Sequence, residues 1–409
     1  MITGPERSAD QSSCSPGGLH RIHAGWIRHA GAVPHVNLVP RSTLTISYFY
    51  LQIILCGVHR DRIELPTPNA RKSITLVAVG TSLYLMYLYH VGFSEIAESM
   101  RSVDIRIFSL GFVLALLGVL FDGLAWRRVA QKFDCSISIA DAFLIYLSCI
   151  FLNNLIPSGS FSGETARIYF LEKIASPGID RASATVAASR IITSIPFFLG
   201  VAVGMGYLVM ETNAPSWAIA TCSGIAVVLL GINAIFVGIC FSSGWLEGIV
   251  SGLIEFVEKV FHRNVNRNLC IGIVRRFHSA MSGFTEHRRT ILVSTIWSLA
   301  AWLCMNLVAF VTFRSMGIEV SMWAIFAVYA VMIFIQMLPL VLPGGIGLVD
   351  IVMITLFSAI GVPTSYAVAA TILSRLIQLW FLTIAGGAAT GYLLKRIDEN
   401  RKSSMCHPA

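Results

Sequence analysis

Two interruptions in otherwise apolar sequence combine proline, glycine and a carboxylate, and a single arginine follows each of them. The interruptions cover residues 153–164 and 340–350. Glu164 ends the first and precedes Arg190 by 26 positions. Asp350 ends the second and precedes Arg375 by 25 positions. A charge at the centre of a membrane-spanning helix costs about 2.5–3.5 kcal/mol on insertion scales, so each arginine needs a partner. The spacing predicts carboxylate–arginine pairs, formed within one repeat or between the two.

The backbone of both interruptions suits an anion site. Pro157 and Pro343 cannot donate to a helical hydrogen-bond ladder. Five glycines permit tight turns and the close approach of another group: Gly159, Gly163, Gly344, Gly345 and Gly347. A helix that restarts after a break directs free N–H groups at a ligand, and phosphate is a common one. We predict a duplicated site in which arginine exchanges its carboxylate for a lipid phosphate, and the carboxylate then takes a proton. The alternative is two ion pairs that only hold the breaks in place.

Other polar residues near the breaks allow two interpretations each. Asn153 and Asn154 either contact substrate or satisfy freed backbone groups, and we favour the second role. Arg167 either collects anionic head groups at the cytoplasmic side or only helps to orient the chain. Asp122 and Asp141 lie near the ends of predicted spans and are predicted to be interfacial.

The composition indicates a helical membrane protein. Of 409 residues, 55% are hydrophobic and 13% are charged, with a mean hydropathy of +0.72. A soluble domain carries about 25% charged residues. The net charge of +8 reflects basic loops between apolar spans rather than a nucleic-acid surface. Nine cysteines without a C-x-x-C motif predict neither a disulfide framework nor a metal site, and no cofactor is expected.

Apolar stretches divide the chain into a basic extension (1–73), a membrane domain (74–398) and a tail (399–409). We predict an all-α fold with about six to eight spans. Their apolar runs are 74–93, 105–126, 139–156, 184–210, 217–241, 290–313, 322–342 and 366–394. The insertion 242–289 repeats apolar residues at helical spacing. It is predicted to be either an amphipathic cytoplasmic helix on the membrane or a solvated connecting pair of helices.

Loop charges constrain the orientation of these segments. Basic residues concentrate in the extension, after the second span, in the insertion and at the C-terminus, so these parts are predicted to be cytoplasmic. Two re-entrant segments would place all of these basic parts on the cytoplasmic side. One, residues 139–175, would enter the membrane from the cytoplasm and turn back. The other, residues 322–361, would enter from outside and turn back. The two units would then form an inverted repeat of re-entrant hairpins.

Two segments of the chain resemble the lysylphosphatidylglycerol synthase transmembrane family. The first runs from Asn154 to Arg167 in the pattern Asn-x-x-Pro-x-Gly-x-x-x-Gly-Glu-x-x-Arg, and the second from Leu342 to Asp350. The resemblance covers roughly 74–398 and implies a flippase-like lipid domain. It departs at Asp350, where glutamate is expected. The chain ends shortly after its last span, so we expect no aminoacyltransferase domain.

The leading hypothesis is a flippase for an anionic, polyprenyl-linked or glycosylated lipid in the inner (cytoplasmic) membrane, or a partner of a lipid-modifying pathway. A transporter is favoured over an enzyme. The alternatives are a membrane-embedded lipid-linked glycosyltransferase and a scaffold for a separate synthase. The expected partners are a phospholipid or polyprenyl-phosphate-linked lipid and, in addition, a separate glycosyltransferase or synthase.

Overall fold

A computed structural model describes residues 98–156, 161–210, 216–261, 267–337 and 343–406. The basic extension, the predicted first span and Gly159 lie outside the described residues. So do the tips of both breaks, at 157–160 and 338–342.

The described residues form helices joined by short connections, and they contain no strand. The helices of the first half are α1 (Ile105–Ala130), α2 (Ile139–Leu155), α3 (Phe161–Ala175), α4 (Ile179–Met210) and α5 (Ser216–Phe241). The connecting pair is α6 (Ser243–Phe261) and α7 (Arg267–Phe284). The second half contains α8 (Arg288–Ser315), α9 (Met322–Met337), α10 (Leu348–Ala359), α11 (Thr364–Arg375) and α12 (Leu382–Cys406). The all-α class is confirmed.

Length and composition qualify four described helical stretches as membrane spans. They are Ile105–Phe133, Ile179–Gly204, Arg288–Ser315 and Thr364–Asn400. A bent pair, Leu230–Phe241 with Gly244–Gly252, raises the number to five if it forms one span. Both arms of the second break are short apolar helices, as is the arm that enters the first: Ile139–Leu155, Met322–Ile333 and Leu348–Ala359. Short arms beside long spans are typical of broken helices.

The two halves pack reciprocally. Helix α1 lies along α8, so the helices that precede the two hairpins contact each other. The entering arm of the first hairpin, α2, packs on α12 of the second half, and the entering arm of the second, α9, packs on α4 of the first. At Gly386 of α12, an added Cβ would lie 2.3 Å from the carbonyl oxygen of Leu147, so this crossing requires glycine. Each hairpin is therefore held by the other half.

The insertion forms the helical pair α6–α7. Its interior contains Val250, Ile254, Cys270 and Val274. Exposed ion pairs join Arg275 to Glu247 and Arg267 to Glu255 across the pair. These exposed pairs contribute little to stability, so the apolar interior is what holds the two helices together.

Candidate functional site

The first hairpin closes through Asn153. The backbone N–H of Gly163, at the start of α3, donates a hydrogen bond to Asn153 Oδ1 at 2.7 Å. The hydroxyl of Ser162 donates to the same oxygen at 3.2 Å and to the Leu152 carbonyl at 2.9 Å. Asn153 thus satisfies a backbone group freed by the break, which is the role that we favoured for it. The Gly163 N–H is already engaged and is not free for an anion.

Glu164, in the first turn of α3, lies between two arginines. Its Oε2 is 2.9 Å from Arg167 Nη1, one helical turn away. Its Oε1 is 3.5 Å from Arg190 Nη1 on α4. The predicted partners Glu164 and Arg190 are therefore brought together, but the shorter contact goes to Arg167.

Arg167 is enclosed by protein, and its side chain is only 2% exposed. Its guanidinium carbon lies 4.6 Å from the Trp126 ring centroid and 4.8 Å from that of Tyr146. Nη2 donates to the Ser189 hydroxyl at 3.0 Å. A lipid head group cannot reach a guanidinium held in this way, so the interpretation of Arg167 as a surface collector is wrong. The buried cation is held by one carboxylate, one hydroxyl and two aromatic faces.

Arg190 differs from every other arginine near the breaks because its side chain is 37% exposed. Its one described carboxylate contact, at 3.5 Å, is long for a charge-assisted hydrogen bond. Glu164 itself is 15% exposed. The sequence suggested a buried arginine here, whereas the structure leaves this side chain partly exposed and its guanidinium weakly held.

The second break has a closed arrangement. Asp350 Oδ2 accepts a hydrogen bond from the Gly347 N–H at 2.8 Å and so caps α10. Arg375 Nε lies 2.8 Å from Asp350 Oδ1, an ion pair whose N–H is not aligned for a hydrogen bond. Arg375 Nη2 donates to the Gly344 carbonyl at 2.6 Å. The two side chains are only 9% and 5% exposed, so this pair is sequestered.

The two breaks meet each other. Gly344 and Gly345 have φ angles of 61° and 66°, which glycine adopts without strain. A Cβ added at Gly344 would lie 2.8 Å from Leu379 and 3.7 Å from the Asn154 carbonyl. Asn154 Nδ2 donates to the Thr383 hydroxyl at 2.8 Å, which ties the first break to α12. Asn154 therefore links the halves.

A π-helical segment, Leu376–Phe381, follows Arg375 directly. Gln378 in this segment donates from Nε2 to the Met305 carbonyl at 2.9 Å and to the Tyr329 hydroxyl at 3.3 Å. Such segments frequently occur at functional sites, because the extra residue per turn redirects side chains. No sequence signal predicted it.

Sequence reasoning also missed the groups that surround Arg167. Trp126 and Tyr146 lie in apolar stretches, where an aromatic residue resembles any core residue. Ser189 carried a signal, since a serine precedes the arginine in both repeats. Within the described residues, no three or more His, Cys, Asp or Glu side chains are grouped to hold a metal ion.

Gly163 is predicted to tolerate no side chain. An added Cβ would lie 2.5 Å from both the carbonyl oxygen and Sγ of Cys149. We expect Gly163→Ala to lower the free energy of unfolding by about 1–3 kcal/mol, because α3 must move away from α2. Gly231→Ala, where nothing lies within 4 Å, is the matched control and should be neutral or slightly stabilising. Thermal unfolding in detergent measures both, and equal melting temperatures would contradict the close packing.

Long apolar helices, two broken helical hairpins and ion pairs beside the breaks define a polytopic helical membrane protein. The chain belongs to the family described as the lysylphosphatidylglycerol synthase transmembrane region, whose model matches residues 73–386.

Relatives from archaea share most of this length. The chain is 27% identical over 338 residues to a UPF0104 membrane protein of Methanothermobacter thermautotrophicus, covering 80% of this chain and 97% of that protein. It is 26% identical over 331 residues to a UPF0104 membrane protein of Pyrococcus horikoshii, covering 77% and 96%. A third, from Methanocaldococcus jannaschii, is 25% identical over 337 residues, covering 81% and 97%. The similarity therefore extends over nearly the whole of each relative.

Proposed function

We propose that this protein moves an anionic lipid, either a phospholipid or a polyprenyl-phosphate-linked lipid, between the two leaflets of the inner membrane. The observation that carries the proposal is the contrast between Arg190 and Arg375. Arg190 is 37% exposed with one long contact to a carboxylate, and Arg375 is 9% exposed with two short contacts. A guanidinium at a broken helix, accessible and weakly paired, is suited to a phosphate.

The exchange of partners is favourable at the first break because Glu164 has a second cation. When a phosphate takes Arg190 in a bidentate contact, Glu164 keeps Arg167 at 2.9 Å. Glu164 is then not left without a counter-charge, which would be costly at this depth. The second break offers no such alternative, because Met353 stands three positions after Asp350, where the first break has Arg167.

Orientation completes the proposal. The basic segments after α1 and between α5 and α8 support a cytoplasmic location for these loops and for both termini. With that orientation the first hairpin enters from the cytoplasm, so Arg190 would meet lipids of the inner leaflet first. The second hairpin would enter from outside and close the site toward the outer leaflet.

Arg190→Ala is predicted to reduce lipid translocation about tenfold or more, since a hydrogen bond to a charged group contributes about 1.5–3 kcal/mol. The measurement uses proteoliposomes with fluorescent phosphatidylglycerol, and in parallel a labelled polyprenyl phosphate, with a membrane-impermeant quencher reporting the outer leaflet. Arg314→Ala is the control, because Arg314 is exposed and, among the described residues, pairs with Glu319 near the end of α8.

Three outcomes would count against the proposal. Translocation by Arg190→Ala at the wild-type rate would remove this arginine from the site. Folded wild-type protein that moves neither lipid would contradict a flippase, and co-purification of a synthase would then favour a scaffold. Product formed from an activated sugar donor would favour the glycosyltransferase.

A further inference from the structure

Asp122 belongs to the first break although it lies far from it in sequence. Helices α1 and α4 run antiparallel, since Trp126 Nε1 contacts Thr185 Oγ1 at 3.3 Å while Asp134, beyond α1, pairs with the earlier residue Arg181. Asp122 precedes Trp126 by one helical turn, and Ser189 follows Thr185 by one turn. The side chain of Asp122 therefore faces the Ser189–Arg190 step of α4. The sequence predicted only that Asp122 is interfacial, and its position beside the first break comes from the packing of α1 on α4.

The arginines near Asp122 pair with Glu164 and not with Asp122. It interacts electrostatically with Arg167, Arg190 and Glu164. The uncharged titratable groups that face it are Tyr146 and Cys149 on α2 and Cys304 on α8. Both arginines direct their carboxylate contacts to Glu164. Within the described part of the chain, Asp122 makes neither a hydrogen bond nor an ion pair.

This cluster holds two cations and two carboxylates, so it is neutral only while it holds no anion. A lipid phosphate bound to Arg190 would bring a third negative charge into a site of low dielectric constant, where uncompensated charge is costly. One proton restores neutrality. Glu164 is the poorer acceptor, because it keeps its 2.9 Å contact with Arg167 after Arg190 is taken. Asp122 has no such contact to lose.

We propose that Asp122 is the carboxylate that takes up a proton when an anionic lipid binds at Arg190. This inference rests on the proposed function and assigns the proton to a residue outside both breaks. The proton comes from the aqueous phase, converts the Asp122 carboxylate to the carboxylic acid, and leaves again when the lipid departs. Asp122 is only partly buried, so the protein does not close it off completely. Lipid and proton would then move in the same direction.

The test measures protons directly. Purified full-length protein in weakly buffered detergent solution is titrated with dihexanoyl phosphatidylglycerol, and a pH indicator records the protons taken up. A phosphodiester is chosen because a polyprenyl monophosphate itself titrates at a pKa near 6. At pH values above the pKa of Asp122 in the lipid-free protein, wild type is expected to take up about one proton per lipid and to lose affinity about tenfold per pH unit as the pH rises.

Asp122→Asn is expected to bind the lipid with little dependence on pH and to take up no proton, since the amide imitates the protonated acid. Asp134→Asn, at an exposed position just beyond α1, is the control and should take up protons like wild type. Because Asp122 is unpaired, its variant should melt at the wild-type temperature. A melting temperature well below wild type would overturn the view that Asp122 is unpaired.

The outcomes separate the two proposals. Wild-type protein that binds and translocates the lipid without proton uptake overturns this inference and leaves the proposed function standing. Proton uptake that persists in Asp122→Asn and disappears in Glu164→Gln overturns the assignment to Asp122. A wild-type protein that does not bind the lipid overturns both for phosphodiester lipids.

Discussion

Replacing Arg167 with methionine is expected to lower the free energy of unfolding by about 3–5 kcal/mol, the usual effect of breaking a buried ion pair. Among the described residues, the substitution leaves Glu164 with its 3.5 Å contact to Arg190 alone. It also removes the stacking on Trp126 and Tyr146, which contributes about 2 kcal/mol when such a contact is shielded from water. Arg167→Lys should recover little, since an ammonium group cannot reproduce the planar contacts between the two rings.

Thermal unfolding with a thiol-reactive dye measures this effect, because five cysteines of the described chain are buried and free. Burial raises the pKa of the Cys135 thiol to about 11, so it stays protonated and unreactive until the protein unfolds. Arg181→Met is the control, since Arg181 is half exposed and pairs with an exposed carboxylate. That variant should change stability by less than about 1 kcal/mol. Equal losses for Arg167→Met and Arg181→Met would show that the enclosed guanidinium is not stabilising.

Breaking the pair of the second hairpin is the other change with a large expected effect. Asp350→Asn and Arg375→Met should each lower the free energy of unfolding by about 3–5 kcal/mol, because each leaves one buried charge unpaired. The double variant should lose less than the sum, with a coupling energy of about 1–3 kcal/mol, since both charges are then gone. The asparagine can still accept a hydrogen bond from the Gly347 N–H, so the cap on α10 is kept. The double-mutant cycle then measures the interaction between Asp350 and Arg375 alone.

This cycle also tests the difference between the two arginines. If Arg375 is structural, translocation per folded molecule should stay near wild type in the double variant, while Arg190→Ala loses translocation without losing stability. A folded double variant that no longer retains lipid would indicate that Arg375 binds substrate after all. Additive losses in the two single variants would show that Asp350 and Arg375 do not stabilise each other.

The chemical repeat was predictable from local sequence. Glu164 and Asp350 follow their prolines by the same seven positions, and burying an unpaired arginine is costly. The structure forms both pairs within their own repeats, Glu164 with Arg190 and Asp350 with Arg375. The membrane class followed from composition alone, because a chain with so little charge and such long apolar runs cannot fold as an ordinary soluble domain.

Which charges are accessible was decided only by the tertiary structure. Helical periodicity normally identifies the buried face of a helix, but in a membrane the lipid-facing residues are as apolar as the core ones. The sequence therefore did not predict that α2 packs on α12 and α9 on α4. It also did not predict that α1 packs on α4. That packing encloses Arg167 between Trp126 and Tyr146, leaves Arg190 open and brings Asp122 to the first break. The sequence by itself determined two broken hairpins with their charge pairs, and the contacts between distant helices determined which of those charges a lipid can reach.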